Sequence, residues 1–152
     1  APGIPAGRGV QWAMRYLGVD PGGRRIGLAV GDDSTGVVSP LEVVACEGVA
    51  AAAQLIADAA LRIAAGCVVV GLPTRADGST GSAARRSHLL AEHLRTLGVE
   101  VVLQSEFLST DEARRRAREA GRPRKSWVDD LAAQVLLEEF LATHTPISSP
   151  RI

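Results

Sequence analysis

The sequence predicts an α/β fold: a five-stranded mixed sheet, three antiparallel strands then parallel crossovers, flanked by helices. Three observations point there. A strong turn, Asp20-Pro21-Gly22-Gly23, separates two short apolar runs, with Pro where φ is pre-set and Gly where it must be free. An uninterrupted apolar run from Cys67 to Val70 suits a strand covered on both faces, as in a parallel sheet. Segments of helical character stand on both sides of that run, as crossover connections require.

The elements follow in order. Arg15 to Val19 reads as the first strand and Ile26 to Asp32 as the second, joined as a hairpin. In the second, Ile26, Leu28 and Val30 alternate with Gly27, Ala29 and Gly31, leaving one bulky face and one bare face that another element can approach closely. Val37 to Cys46 reads as a third strand near a sheet edge, because Pro40 donates no ladder hydrogen bond. The Ala-rich stretch Val49 to Ala65 is a helix ending near Gly66. After the Cys67 to Val70 strand come a polar loop from Pro73 to Ser82, a helix from Ala83 to Leu97 closed by Gly98, and a strand from Val99 to Gln104. Ser109-x-x-Glu112 is a capping box opening a short helix that stops at Gly121, and Ser126-x-x-Asp129 has the same form before the last helix. The order βββαβαβαα is the ribonuclease H arrangement.

A chain of 152 residues suits one domain with a real core. Residues 1–13 are expected to be a flexible or non-native extension with a native start at Met14, 14–143 the domain, and 144–152 a tail. No apolar run approaches the roughly 18 residues of a membrane helix, and nothing suggests export, so a cytoplasmic protein is expected. Cys46 and Cys67 form no CxxC or Cys/His cluster and are expected as buried, reduced thiols. His88, His93 and His144 match no metal-binding spacing and read as surface residues.

Functional groups of an open α/β sheet gather beyond the carboxyl ends of its parallel strands. Asp20 ends the first strand, Glu106 follows the Val101-Val102-Leu103 strand, and Asp129 lies in the first turn of the last helix. Three converging carboxylates suit a hard divalent ion, Mg2+ or Mn2+, which leaves positions for water and a substrate phosphate. Two such ions about 3.5–4 Å apart are the usual apparatus of phosphodiester hydrolysis. Each acid also has a plainer role: Asp20 can bond its own turn, Glu106 can be a solvated loop residue, and Asp129 can serve the helix dipole. Periodicity separates the last from its neighbour. Asp129 shares a face with Ala132, Ala133, Leu136 and Phe140, whereas Asp130 aligns with the polar Gln134 and Glu138.

The 17 basic and 17 acidic residues cancel, which taken as an average argues against a polyanionic partner. Their distribution argues the reverse. Between Ala113 and Lys125 stand Arg114, Arg115, Arg116, Arg118, Arg122, Arg124 and Lys125 against Glu119 alone. Runs of Arg often face only water, yet this one adjoins Asp129, and Arg forks readily onto phosphate. Arg24, Arg25 and Arg75 extend the same expected nucleic-acid surface. Aromatic residues make up 3% of the chain, too few for a base-stacking platform, so backbone and shape recognition is expected.

At these residues the sequence resembles the YqgF family of ribonuclease H-like nucleases. Leu17-Gly18-Val19-Asp20 through Arg25-Ile26-Gly27-Leu28-Ala29-Val30-Gly31-Asp32 is similar to the family's LGxDxGxxRIGxAxxD. Val70-Gly71-Leu72-Pro73 with Asp77, Gly78 and Gly81 is similar to its GLPxxxDGxxG loop, and Val128-Asp129-x-Leu131-Ala132-Ala133 to its VDxLAA helix. The resemblance implies that Asp20, Glu106 and Asp129 are metal-binding catalytic acids. It implies structured RNA, in particular precursor 16S ribosomal RNA, and/or branched DNA such as Holliday junctions as substrates, for a monomer or homodimer. The family's DERLTT segment is here Ser105-Glu106-Phe107-Leu108-Ser109-Thr110, so the acid before Glu106 and the Arg after it are missing. Weaker activity or an altered preference follows from that change. The competing expectation is a non-catalytic RNA- or DNA-binding factor using the same basic surface. Neither GxGxxG nor GxxxxGK[ST] occurs around Gly18 to Gly27.

Overall fold

Two strands leaving the Asp20 turn in opposite directions organise the sheet. The computed structural model describes residues 14–22, 24–73, 81–106 and 129–143. In it β1 (Arg15–Pro21) pairs antiparallel with β2 (Arg25–Asp32), from Arg15 opposite Asp32 to Pro21 opposite Ile26. β3 (Val38–Ala45) pairs antiparallel with β2, and its register shifts between Leu28 and Ala29, which face Glu42 and Pro40. Leu41 is therefore the extra residue of a bulge beside a proline with no N–H to donate. The strand order β3-β2-β1-β4-β5 puts β3 at the edge, as Pro40 predicts.

Two crossovers complete the sheet. α1 (Val49–Arg62) leads to β4 (Cys67–Pro73), parallel to β1, and α2 (Ser82–Thr96) leads to β5 (Val101–Glu106), parallel to β4. α3 (Asp129–Thr143) closes the described chain. The capping-box helix expected from Ser109 to Gly121, the Ser126 cap, the polar loop at 74–80, the extension 1–13 and the tail 144–152 with His144 lie outside the described residues.

Both crossover helices end in the same hydrogen-bonded motif, built from different residues. At the end of α2, Gly98 N donates to Arg95 O and Val99 N to Leu94 O, with Gly98 at φ +85°. This is the Schellman pattern, in which a left-handed residue returns two amides to the last turn. At the end of α1, Ala64 N donates to Leu61 O and Ala65 N to Ala60 O, with Ala64 at φ +59°. The helix thus stops short of the expected Ala65, because an alanine takes the left-handed place expected of Gly66. The motif also moves the last strand: Val99 N is spent on α2, so β5 starts at Val101 and runs to Glu106 rather than from Val99 to Gln104.

The sheet separates two apolar layers. Leu17, Val19, Leu28, Val68 and Val70 pack with Ile56, Ala53, Leu90 and Leu94 from α1 and α2. On the other face Tyr16, Ala29, Cys67 and Val69 meet Ala133, Leu137 and Phe140 from α3. The Tyr16 and Phe140 rings stand 5.4 Å apart at 58°, a tilted arrangement that ring quadrupoles favour. Cys67 is buried and free, as expected, whereas Cys46 is only half-buried because it stands in the connection before α1. His88 is exposed and His93 half-buried. No described helix is long and apolar enough to cross a membrane.

The α1 terminus and the buried thiol can each be tested. An alanine in the left-handed region costs about 1–2 kcal/mol and glycine pays less there, so Ala64→Gly should raise stability by about 0.5–1 kcal/mol in urea denaturation; an unchanged or lower midpoint would refute the αL cap. Burial, helped by the charge of Glu100, pushes the Cys67 thiol up to about 11 from 9.0. The neutral thiol is the form the fold prefers, so its contribution is whole below pH 9 and is lost as pH rises toward 11. As pH rises from about 9 to about 10, inside that window, the wild type should lose stability faster than Cys67→Ala, as read from urea midpoints.

Candidate active site

The turn after β1 fixes where Asp20 stands. Gly22 N donates to Asp20 O at 3.0 Å. A Cβ on Gly22 would lie 2.6 Å from the Arg25 carbonyl oxygen, so only glycine closes this turn without moving backbone. Across the hairpin Asp20 pairs with Gly27, and its side chain is half-buried. On the other side Val19 pairs with Val70 of β4, which sets Asp20 level with Gly71 at the carboxyl end of the parallel strands.

Pleating assigns the faces. Leu17 and Val19 belong to the α1/α2 layer and Tyr16 to the α3 layer, so Asp20, with the parity of Tyr16, falls on the α3 side. Glu106 is the last residue of β5, opposite Pro73. It closes the strand rather than following it, a correction that leaves it at the same end of the sheet.

α3 runs back along β1. Phe140 lies against Tyr16, and a Cβ on Gly18 would meet Leu137 Cβ at 3.0 Å and the Ala133 carbonyl at 3.2 Å. From Tyr16 to Asp20 a strand covers about 13 Å; from Phe140 back to Asp129 a helix covers about 16 Å. The helix therefore begins where β1 ends, and the backbone of Asp129 comes to the level of Asp20. Ala133, Leu136 and Phe140 are buried and Gln134 and Glu138 half-buried, but the expected Ala132 is also half-buried and Val135 and Leu137 are fully buried, so the helix is covered over more than the one face expected.

The side chains of Glu106 and Asp129 are not among those described, and among the described residues no three His, Cys, Asp or Glu side chains gather at one point. Of the expected phosphate contacts, Arg24 and Arg25 are exposed at the start of the hairpin. Arg75, Arg114, Arg115, Arg118, Arg122, Arg124 and Lys125, with Phe107, lie outside the described residues, and Ser105 is exposed in β5. The sequence pattern gives no signal for Arg86, on α2, which the fold brings beside the Asp20 turn.

The second carboxylate of the opening motif has a different task. Asp32 lies opposite Arg15, at the far end of β1 from Asp20. Its Oδ1 accepts from Ser34 N (3.0 Å), Ser34 Oγ (2.8 Å), Thr35 N (2.9 Å) and Thr35 Oγ1 (3.1 Å). The Thr35 amide foremost, with these other donors, holds the Asp32 carboxyl below its usual range. Asp32 is thus a turn-forming residue.

Residues 14–143 match the family RuvX, described as Holliday junction resolvase. The chain belongs to the RuvX family. Its kinship with YqgF-type nucleases is thereby established, and the chain is a nuclease by family. A protein of Anaeromyxobacter sp. (strain Fw109-5) named "Putative pre-16S rRNA nuclease" is 45% identical over 132 residues, 84% of this chain and 96% of the relative. One of the same name from Thermus thermophilus is 37% identical, covering 85% of this chain and 98% of the relative.

Solved structures extend the RuvX comparison to the fold. Thermus thermophilus RuvC superposes with a TM-score of 0.54 at 19% identity, over 85% of this chain and 95% of RuvC. The Fowlpox virus resolvase, solved with Holliday junction DNA, superposes with a TM-score of 0.54 at 11% identity, over 86% of this chain and 98% of the resolvase. The fold is ribonuclease H-like, as the element order predicts.

Since α3 is seated on Gly18, a larger residue there should disturb the site through the helix. Gly18→Val should destabilise the domain by about 1–3 kcal/mol, the usual range for overpacking, and reduce cleavage even below its melting transition. A variant with wild-type urea midpoint and wild-type cleavage would contradict this packing.

Proposed function

We propose that this chain hydrolyses phosphodiester bonds in structured nucleic acid, using Asp20, Glu106 and Asp129 to hold a divalent ion, with precursor 16S ribosomal RNA as the substrate. The observation that carries this reading is the convergence of the ends of β1 and β5 and the start of α3 at one edge of the sheet. Three carboxylates supply the hard oxygens that Mg2+ or Mn2+ takes, so the donor set fits such an ion. A divalent ion held there would supply Lewis-acid activation of water and charge neutralisation at the departing oxygen.

The protein's own groups do the rest. The glycine-closed turn fixes the Asp20 backbone. Arg24, Arg25, Arg75, Arg114, Arg115, Arg118, Arg122, Arg124 and Lys125 neutralise phosphates around the acids, which positions the strand without reading its sequence. The names of the 45% and 37% identical relatives support ribosomal precursor as substrate. The family's description favours a second reading, branched DNA. Two free cysteines agree with a reducing, cytoplasmic setting. Trimming an RNA end needs one site and a monomer suffices, whereas a four-way junction calls for a homodimer, which a solution mass measurement decides.

Loss of a group supporting a metal ligand costs about 10–100-fold, so Asp20→Asn, which alters a ligand itself, should lower cleavage about 100-fold or more while leaving binding near wild type. The check is a panel of precursor ribosomal RNA, junction DNA and duplex DNA, each with Mg2+ and with Mn2+. Undiminished cleavage by Asp20→Asn sinks the assignment of that residue. Salt-sensitive binding by the wild type without cleavage of any substrate points to the non-catalytic factor instead.

A further inference from the structure

The Asp20 turn has a second side. Asp20 falls on the α3 face, but Pro21 and Gly22 line a cleft on the opposite, α1/α2 side of the same sheet edge. Cys46, Gly48 and Leu90 also line it, and Arg86 of α2 is the one charged residue among the described residues that do. A Cβ on Gly48 would meet nothing within 4 Å, so a ligand can come close there. Glu47, next to Gly48 in the chain, is exposed and does not line the cleft.

The Arg86 side chain, like those of Arg24 and Arg85, has no partner among the described residues, unlike three other arginines, and its place in the cleft sets it apart from those two. Arg62 pairs with Glu42 at 2.6 Å, Arg95 reaches Glu92 at 3.4 Å, and Arg15 donates to the Ile63 carbonyl at 2.9 Å. Those three stand away from the carboxyl end of the sheet, on β1's first residue and in the last turns of α1 and α2. Arg86 is exposed and makes no hydrogen bond or ion pair with any described residue. Its neighbour in sequence, Arg85, is exposed as well. A guanidinium left uncommitted beside a turn that carries a candidate catalytic acid is poised for an external anion, and its planar fork matches phosphate.

We infer that Arg86 binds a backbone phosphate of the substrate flanking the one cleaved at Asp20, with the strand passing over the sheet edge from the α3 side to the α1/α2 side. Arg86 is then a positioning residue: it acts on binding and register, and contacts no reacting atom. The inference rests on the nuclease reading for the identity of the substrate, and its test separates the two.

Binding is measured without divalent metal, by fluorescence anisotropy of labelled hairpin RNA and of a four-way DNA junction over a series of KCl concentrations. Arg86→Ala should weaken binding about 3- to 10-fold and flatten the slope of log K against log salt by about one, the signature of one lost phosphate contact. Arg86→Lys should keep the wild-type slope and recover part of the affinity, since it retains the charge without the fork. Arg62→Gln, the same charge change at the other end of the sheet, should leave the slope unchanged. In cleavage, Arg86→Ala should raise KM with kcat nearly constant. Wild-type affinity and slope in Arg86→Ala, or equal flattening in Arg62→Gln, overturns the inference and leaves the nuclease reading standing. A wild type that never cleaves, with the Arg86→Ala effect intact, retains the phosphate contact and refutes the nuclease reading. A wild type that binds neither probe overturns the inference.

Discussion

The packing of α3 on the bare Gly18 position of β1 is the contact on which the rest of the site depends. Any side chain there would meet Leu137 Cβ at 3.0 Å and the Ala133 carbonyl at 3.2 Å, and protein interiors give little room for such overlap. With only hydrogen at that position, the helix settles onto the strand, and the Tyr16 and Phe140 rings fix the other end of the contact. The direction of the helix then delivers Asp129 to the level of Asp20. The start of a helix and the end of a strand come to one level of the sheet because that position carries no methyl group.

The two ends of the sheet divide the labour. At the amino end, polar groups are spent on structure: Asp32 gathers four donors from the turn after β2, and Asp33 accepts from the Met14 amide at 3.0 Å. Burial, with Asp33 beside it, pushes the Tyr16 hydroxyl up to about 12. At the carboxyl end stand Asp20, Glu106, the first residue of α3 and the uncommitted Arg86. The proposed function uses this asymmetry, with carboxylates assigned to cations and arginines to phosphates.

Much of this is legible in the sequence because its causes are local. The Asp20-Pro21-Gly22 turn encodes a hairpin and Pro40 encodes an edge strand without any tertiary knowledge. The ends of α1 and β5 escape a reading that uses glycine as the stop signal, because Ala64 accepts the left-handed conformation under tertiary constraint and Val99 is drawn into the cap of α2. Cys46 has apolar neighbours in sequence, yet it is half-buried because it sits in a connection at the sheet edge. Arg86 is invisible for another reason: the turn with which it lines the cleft lies some sixty residues earlier, and only the fold brings them together.

The central claim is that three carboxylates from β1, β5 and α3 meet at one metal site. Titrating the protein with Mn2+ while following backbone amides by NMR tests this directly, because a bound paramagnetic ion broadens only signals near it. The account predicts early, selective loss of the Asp20, Gly71, Glu106 and Asp129 amides, with Arg15, Gly66 and Thr143 at the far end unaffected. Broadening spread evenly over the acidic surface, or confined to the Asp32 turn, would contradict it.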